Sequence, residues 1–199
     1  MHLKILVGLV VFGVGLASCS AKDTQTISPE AREAFIQTSR AASDRLGQEL
    51  KAKLIAALEA DGPVKAVEVC AEVAPTIAYQ ISQDTGMKVG RTSLKVRNGG
   101  NMPDEFETFW LKAFTTDMAS GQPASELEGW AVASENGEPV FRWMKPIPMG
   151  GVCQTCHGID VADDVKAAIL SHYPEDEAMG FKPGELRGAF TVSIPLKQD

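Results

Sequence analysis

From Ser28 onward, apolar residues first recur at helical spacing and later at strand spacing. Ser28-Pro29 reads as an N-cap followed by a first-turn proline. Phe35, Ala42, Leu46, Leu50, Leu54 and Leu58 then fall near one stripe of a long helix, which Asp61-Gly62-Pro63 is expected to stop. A second helix is predicted from Val64 to about Asp84. Its apolar positions Val67, Cys70, Ala74, Ile77, Ala78 and Ile81 recur at steps of three and four, which turns Cys70 toward the buried face. Pro75 removes a backbone donor and is expected to bend this helix just after Cys70.

Beyond Met87 the period shortens. KVGRTSLKVR, residues 88 to 97, reads as strand with a glycine break. Asn101 and Pro103 open a short amphipathic helix carrying Phe106, Phe109, Trp110, Ala113 and Phe114. GWAVAS and PVFRWMKPI flank Asn136-Gly137, a hairpin signal because both residues tolerate positive φ. A loop, a helix over residues 160 to 171, and RGAFTVSIPL complete the chain. In that last strand Phe190, Val192, Ile194 and Leu196 alternate inward. Helices first, then hairpin-linked strands with short helices between them, predict an α+β fold with an antiparallel sheet.

The 199 residues suit one main domain. The formal charge of -7, with no cluster of Lys and Arg, argues against nucleic acid as a partner. Residues 1 to 18 read as a lipoprotein signal peptide: Lys4 precedes an apolar run from Ile5 to Ala17, which is shorter than the roughly 20 residues a spanning helix needs. Leu16-Ala17-Ser18-Cys19 resembles the bacterial lipobox, in which the cysteine is lipidated. Several acyl chains on Cys19 would anchor the protein to a membrane, and Ser20 resembles outer-membrane sorting. Residues 19 to 27 then form a tether, and residues 28 to 199 one domain. The expected location is periplasmic, at the outer membrane.

The chemistry is concentrated in Cys153-Gln154-Thr155-Cys156-His157. C-x-x-C-H is the c-type haem attachment pattern: two thiols reach the vinyl groups on one porphyrin edge, and the next residue is delivered under the iron. A zinc half-site would need a second ligand pair, and none is in the sequence. A thioredoxin-like pair would open a helix after a strand in a βαβ setting, which this is not. With Cys19 lipidated and two thiols in thioethers, Cys70 is left over. The second axial ligand could be Cys70, His172, Met144, Met149 or Met179, and spacing alone leaves that choice open.

AVEVCAEVAP, RTSLKVRNGGNMPDEFE, CQTCHG and YPEDEAMGFKPGELRGAFTVSIPL together resemble an exported c-type haem family. Its domain was catalogued as of unknown function and later found to be PAS-like. The resemblance runs over residues 30 to 197, with one departure at Gly99-Gly100, where members often carry a proline. It implies an antiparallel sheet of about five strands flanked by helices, with one haem c. It also implies thioether attachment through Cys153 and Cys156, His157 as proximal ligand, and Cys70 of Val69-Cys70-Ala71-Glu72-Val73-Ala74-Pro75 as distal ligand. Arg91 and Arg97 are candidates for the haem propionates, because a guanidinium fork matches a carboxylate.

The function expected on this basis is redox sensing or low-potential electron transfer, since a thiolate on iron favours the ferric state. Family members are often fused to signalling domains. This sequence contains no kinase, cyclase or receptor segment, so a redox or signalling partner protein is expected. The alternative is a haem enzyme, of peroxidase or nitrogen-oxide reductase type, in which Cys70 leaves the iron on reduction.

Overall fold

The computed structural model describes residues 27–196. The expected signal peptide, Cys19 and the tether up to Thr26 lie outside the described residues. Ile27, the last residue assigned to the tether, packs against the main core.

Helix α1 (Pro29–Glu68) starts as the local signals require. Ser28 Oγ accepts the Ala31 N–H at 3.1 Å, and Pro29 occupies the first turn. The expected stop at Asp61-Gly62-Pro63 is present as a break inside this span, which is two helical segments joined across a kink at Gly62. Gly62 has φ 77° and ψ -178°, a backbone state that only glycine adopts without strain, and Pro63 restarts the helix where its missing donor costs little. The segment after the break is held by packing: Val67 is buried against Val165 and Ile169.

The bend expected at Pro75 is a π-helical turn, Val69–Val73, which leads into α2 (Ala74–Thr85). Pro75 has no N–H to return to Ala71, and the Ala74 N–H reaches back five residues to the Val69 carbonyl. Gly86 closes α2 in the left-handed conformation, its N–H on the Ser82 carbonyl at 3.0 Å.

After α2 come β1 (Lys88–Thr92), α3 (Glu105–Ala119), β2 (Gly129–Glu135), β3 (Glu138–Pro148), α4 (Gln154–His157), α5 (Asp163–His172) and β4 (Leu186–Pro195). The strands form one antiparallel sheet in the order β1-β4-β3-β2, so the fold is α+β, with four strands among the described residues where the resemblance implies about five. β2 and β3 join through Asn136 (φ 54°) and Gly137 (φ 88°), the two positive-φ positions of a type I′ turn. Residues 88 to 97 do not all stay in the sheet; the strand ends at Thr92, and Ser93 turns the chain by bonding the Arg187 carbonyl at 2.8 Å.

Both faces of the sheet are covered. On one face Val89, Phe141, Trp143 and Val192 meet Ala42, Leu46 and Leu50 of α1 and Ile77 and Ile81 of α2. Leu54 and Leu58, expected on the same stripe, are only half-buried and outside that core. On the other face Leu111 and Phe114 of α3 pack on Met144 and Ala189, while Phe109, one of the large apolar side chains of the predicted amphipathic helix, is 64% exposed. A capping box between Asp104 and Glu107 starts α3, and the buried Arg142 pairs with both carboxylates. Among the described residues no helix is long and apolar enough to cross a membrane.

Gly129 shows how closely α3 sits on β2. A Cβ there would lie 2.2 Å from the Trp110 ring, with sheet backbone behind it. Gly129→Ala is expected to cost about 1–3 kcal/mol by overpacking, read as a lower urea midpoint at unchanged m-value. An unchanged midpoint would mean that Trp110 moves aside freely.

Candidate functional site

The segment that carries the sequence motif is helical, where a loop was expected. Gly151–Cys153 forms a 3-10 turn that runs into α4, so Cys153, Cys156 and His157, spaced at three and four residues, share one side of a helix. Gly158 ends the helix with its N–H on the Gln154 carbonyl at 2.9 Å. A Cβ at Gly158 would sit 2.5 Å from that same oxygen.

The stretch after α5 holds this segment from the other side. Phe181 N–H donates to the His157 carbonyl at 3.0 Å and Gly180 N–H to the Gly158 carbonyl at 2.9 Å. His157 Nδ1 lies 2.7 Å from the Ala178 carbonyl, an acceptor only, so the ring proton sits on Nδ1 and the Nε2 lone pair is left for a ligand. Burial, reinforced by Arg187 and Arg97, pushes the imidazole well below its ordinary pKa and keeps it neutral. Arg187 Nε approaches the same Nδ1 at 3.1 Å. With the proton donated to Ala178, that approach is a contact between two donors.

Arg97 braces the arrangement. It bonds Asp176 through Nε at 2.7 Å and Nη2 at 3.3 Å, and Nη2 also reaches the carbonyls of Cys156 (2.7 Å) and Ala178 (3.4 Å). The two side chains are 7% and 0% exposed. Arg97 thus has a carboxylate of its own, which occupies the fork that the sequence reading offered to a propionate.

Cys70 arrives on the π-helical turn. Just before that turn, Val67 of α1 packs with Cys156 of α4 and with Val165 and Ile169 of α5, and Tyr173 Oη, after α5, donates to the Cys70 carbonyl at 3.1 Å. Burial pushes the Cys70 thiol up, while Arg91, Arg97 and Arg187 pull it down. Its charge is felt in turn at Cys156, Tyr173 and Arg91. Residues 83 positions apart in the chain, Cys70 and Cys153, therefore share one electrostatic neighbourhood with His157.

Arg91 and Arg187 complete that neighbourhood. Burial is the largest influence on both guanidiniums and lowers both; Arg187, also repelled by Arg97 and Arg91, falls to about 10. Of the other candidates, His172 is exposed at the end of α5 and Met144 is buried between the sheet and α3. Met149 packs against Ala178 and Phe181, and Met179 against Val67 and α5.

Cys70, Cys153 and Cys156 are free thiols, and among the described residues no three His, Cys, Asp or Glu side chains are grouped to hold a bare metal ion. The donor set fits haem better: two thiols on one helix side, a neutral imidazole with a free nitrogen, a further thiol close by, and guanidiniums for carboxylates. Sequence reasoning missed Asp176, Tyr173 and Arg187. Asp176 is hidden in the acidic run Glu175-Asp176-Glu177, while Arg187 is the lone charged residue of RGAFTVSIPL, which is the signal that could have found it.

Compared with known families, the chain matches the Tll0287-like family over residues 22–195. Among solved structures it is similar to the crystal structure of the cyanobacterial haem protein Tll0287. The two are 24% identical, with a TM-score of 0.62 over 87% of this chain and 99% of that one, a likeness of fold. No curated protein matches it.

Proposed function

The chain belongs to the Tll0287-like family, and from that membership together with the site geometry we propose that it is a c-type haem protein for redox sensing or low-potential electron transfer. The observation that carries this reading is the meeting of the Cys70 turn with the helical Cys153-Cys156-His157 segment in one buried, arginine-rich site. Haem supplies reversible one-electron chemistry at iron.

The chain's residues would hold and tune it. Cys153 and Cys156 attach it through thioethers, and His157 presents Nε2, its ring orientation set by the Ala178 carbonyl. Cys70 would be the second protein ligand, as a thiolate whose ionisation burial opposes and the surrounding arginines assist. A sulfur donor stabilises the oxidised state and places the potential below that of a His/Met pair. With two protein ligands on the iron, transfer or sensing of electrons would fit better than turnover of a substrate. Export and lipidation at Cys19, with anchoring at the outer membrane, belong to the same proposal and rest on the lipobox-like LASC. The recipient of the electron or signal is a partner protein.

One preparation tests attachment and anchoring together. The full chain, produced with the cytochrome c maturation machinery and purified in detergent, should carry one haem and acyl chains on Cys19 by intact mass. The haem should survive acidified acetone extraction. Replacing both Cys153 and Cys156 with alanine should leave essentially no covalent haem, and haem retained through that extraction by the double variant would sink the attachment assignment.

A further inference from the structure

The buried site has a surplus of positive charge. Its charged groups are Arg91 from β1, Arg97 from the loop after β1, Arg187 from β4, and the carboxylate of Asp176 from the stretch after α5. The ionisable groups facing them are Cys70 on the π-helical turn, Cys153, Cys156 and His157 on the motif segment, and Tyr173 after α5. Lys95 lies just outside, above the Phe181 ring at 4.7 Å. Three guanidiniums against one carboxylate leave two positive charges unmatched, in a chain whose net charge is -7.

The surplus belongs to two particular residues. Asp176 is committed to Arg97 at 2.7 Å. The Arg91 guanidinium makes no hydrogen bond or ion pair with any described residue; the residue's backbone runs in β1 opposite Phe190 of β4. Arg187 has only uncharged acceptors: Ser93 Oγ at 3.1 Å and the Lys95 carbonyl at 3.4 Å, both through Nη1. Its Nη2 makes no hydrogen bond within the described residues, and its guanidinium is held in place over Phe181 at 5.3 Å. Half-buried cations without counter-ions carry a desolvation cost, and Arg91 also repels Arg187, a cost that an anion between them would relieve.

We propose that Arg91 and Arg187, and not Arg97, form the paired cationic seat for the two carboxylates of the prosthetic group. This inference rests on the haem reading above. Two propionates would match the two unpaired guanidiniums in number, in sign and in forked donor geometry. Arg97 is a brace for the protein itself, tied to Asp176 and to the carbonyls on either side of His157.

Covalent attachment makes the test clean, because the thioethers keep the haem in place when an arginine is changed. The full chain, loaded with haem labelled with carbon-13 at its carboxyl carbons, is examined by reduced-minus-oxidised infrared difference spectroscopy and by potentiometry. Arg91→Met and Arg187→Met should each shift the labelled carboxylate bands and lower the midpoint potential, since a cation that disfavours the ferric state is gone. Arg187→Lys should restore the potential, by keeping the charge, and leave the bands shifted, by losing the fork. Arg97→Met should leave the bands in place and show its effect as a lower unfolding midpoint. Bands that stay unchanged in both Arg91→Met and Arg187→Met, or that move only in Arg97→Met, overturn the assignment while leaving the haem reading intact. A wild-type chain that acquires no covalent haem overturns both.

Discussion

Cys70→Ala is expected to abolish the low-spin thiolate signature in the electron paramagnetic resonance spectrum of the oxidised, haem-loaded protein and to raise its midpoint potential. The thiolate would be the one anionic axial donor, and removing it withdraws the charge that stabilises ferric iron. Axial ligands set haem potentials over a span of about 0.8 V, so this single side chain should outweigh any second-sphere change in the protein. The arginines around Cys70 add to its effect, because they draw the thiol toward its ionised form against the pull of burial. Stability should change little, since Cys70 is only half-buried and its backbone is held by the helix and by Tyr173. The ferrous variant should also bind carbon monoxide, which the wild type should bind poorly while its sixth position is filled. Identical spectra for variant and wild type would transfer the role to Met149 or Met179, which border the same segment.

Asp176→Ala should give the largest loss of stability. Its side chain is fully buried, and its partner Arg97 is 7% exposed. Removing one member of a buried pair strands the other charge in a low-dielectric setting, at a cost of about 3–5 kcal/mol. That is a large share of the roughly 5–15 kcal/mol that holds a typical domain folded. The damage should also be local to the site, because Arg97 holds the carbonyls of Cys156 and Ala178, and Ala178 in turn orients His157. Urea denaturation of the haem-free chain gives the energy, and the yield of covalently loaded protein gives the local consequence. Replacing both partners by apolar residues, Arg97→Met with Asp176→Leu, should recover much of the stability while the haem segment stays loosened. If Asp176→Ala unfolds within about 1 kcal/mol of wild type, Arg97 finds another partner and its bracing role is wrong.

Much of the architecture was readable locally. The α+β class, the start of α1 at Ser28-Pro29 and the Asn136-Gly137 hairpin all follow from short-range backbone preference. The same holds for Cys70 as a residue turned toward the protein, because helical spacing reports facing within one element. Local reading went wrong where neighbours overrule the backbone. Leu54 and Leu58 continue the apolar stripe of α1, yet the sheet does not reach that far and leaves them half-buried. Phe109 matches the apolar stripe of α3, but the sheet reaches only Leu111 and Phe114.

The sequence by itself determined the donor types and their near spacing: two thiols and an imidazole at steps of three and four, and a leftover cysteine on a helix interrupted by proline. Only the tertiary structure decided who stands beside whom. Arg97 and Arg91 are indistinguishable on a strand-like run, and the difference between them is made by Asp176, which lies 79 residues beyond Arg97 and is brought against it by the stretch after α5. Arg187 joins them because β4 pairs with β1, a neighbour relation set by sheet topology. Periodicity is a property of one element's own backbone, while a charge's partner depends on how several elements close around it, and that closure leaves no pattern along the chain.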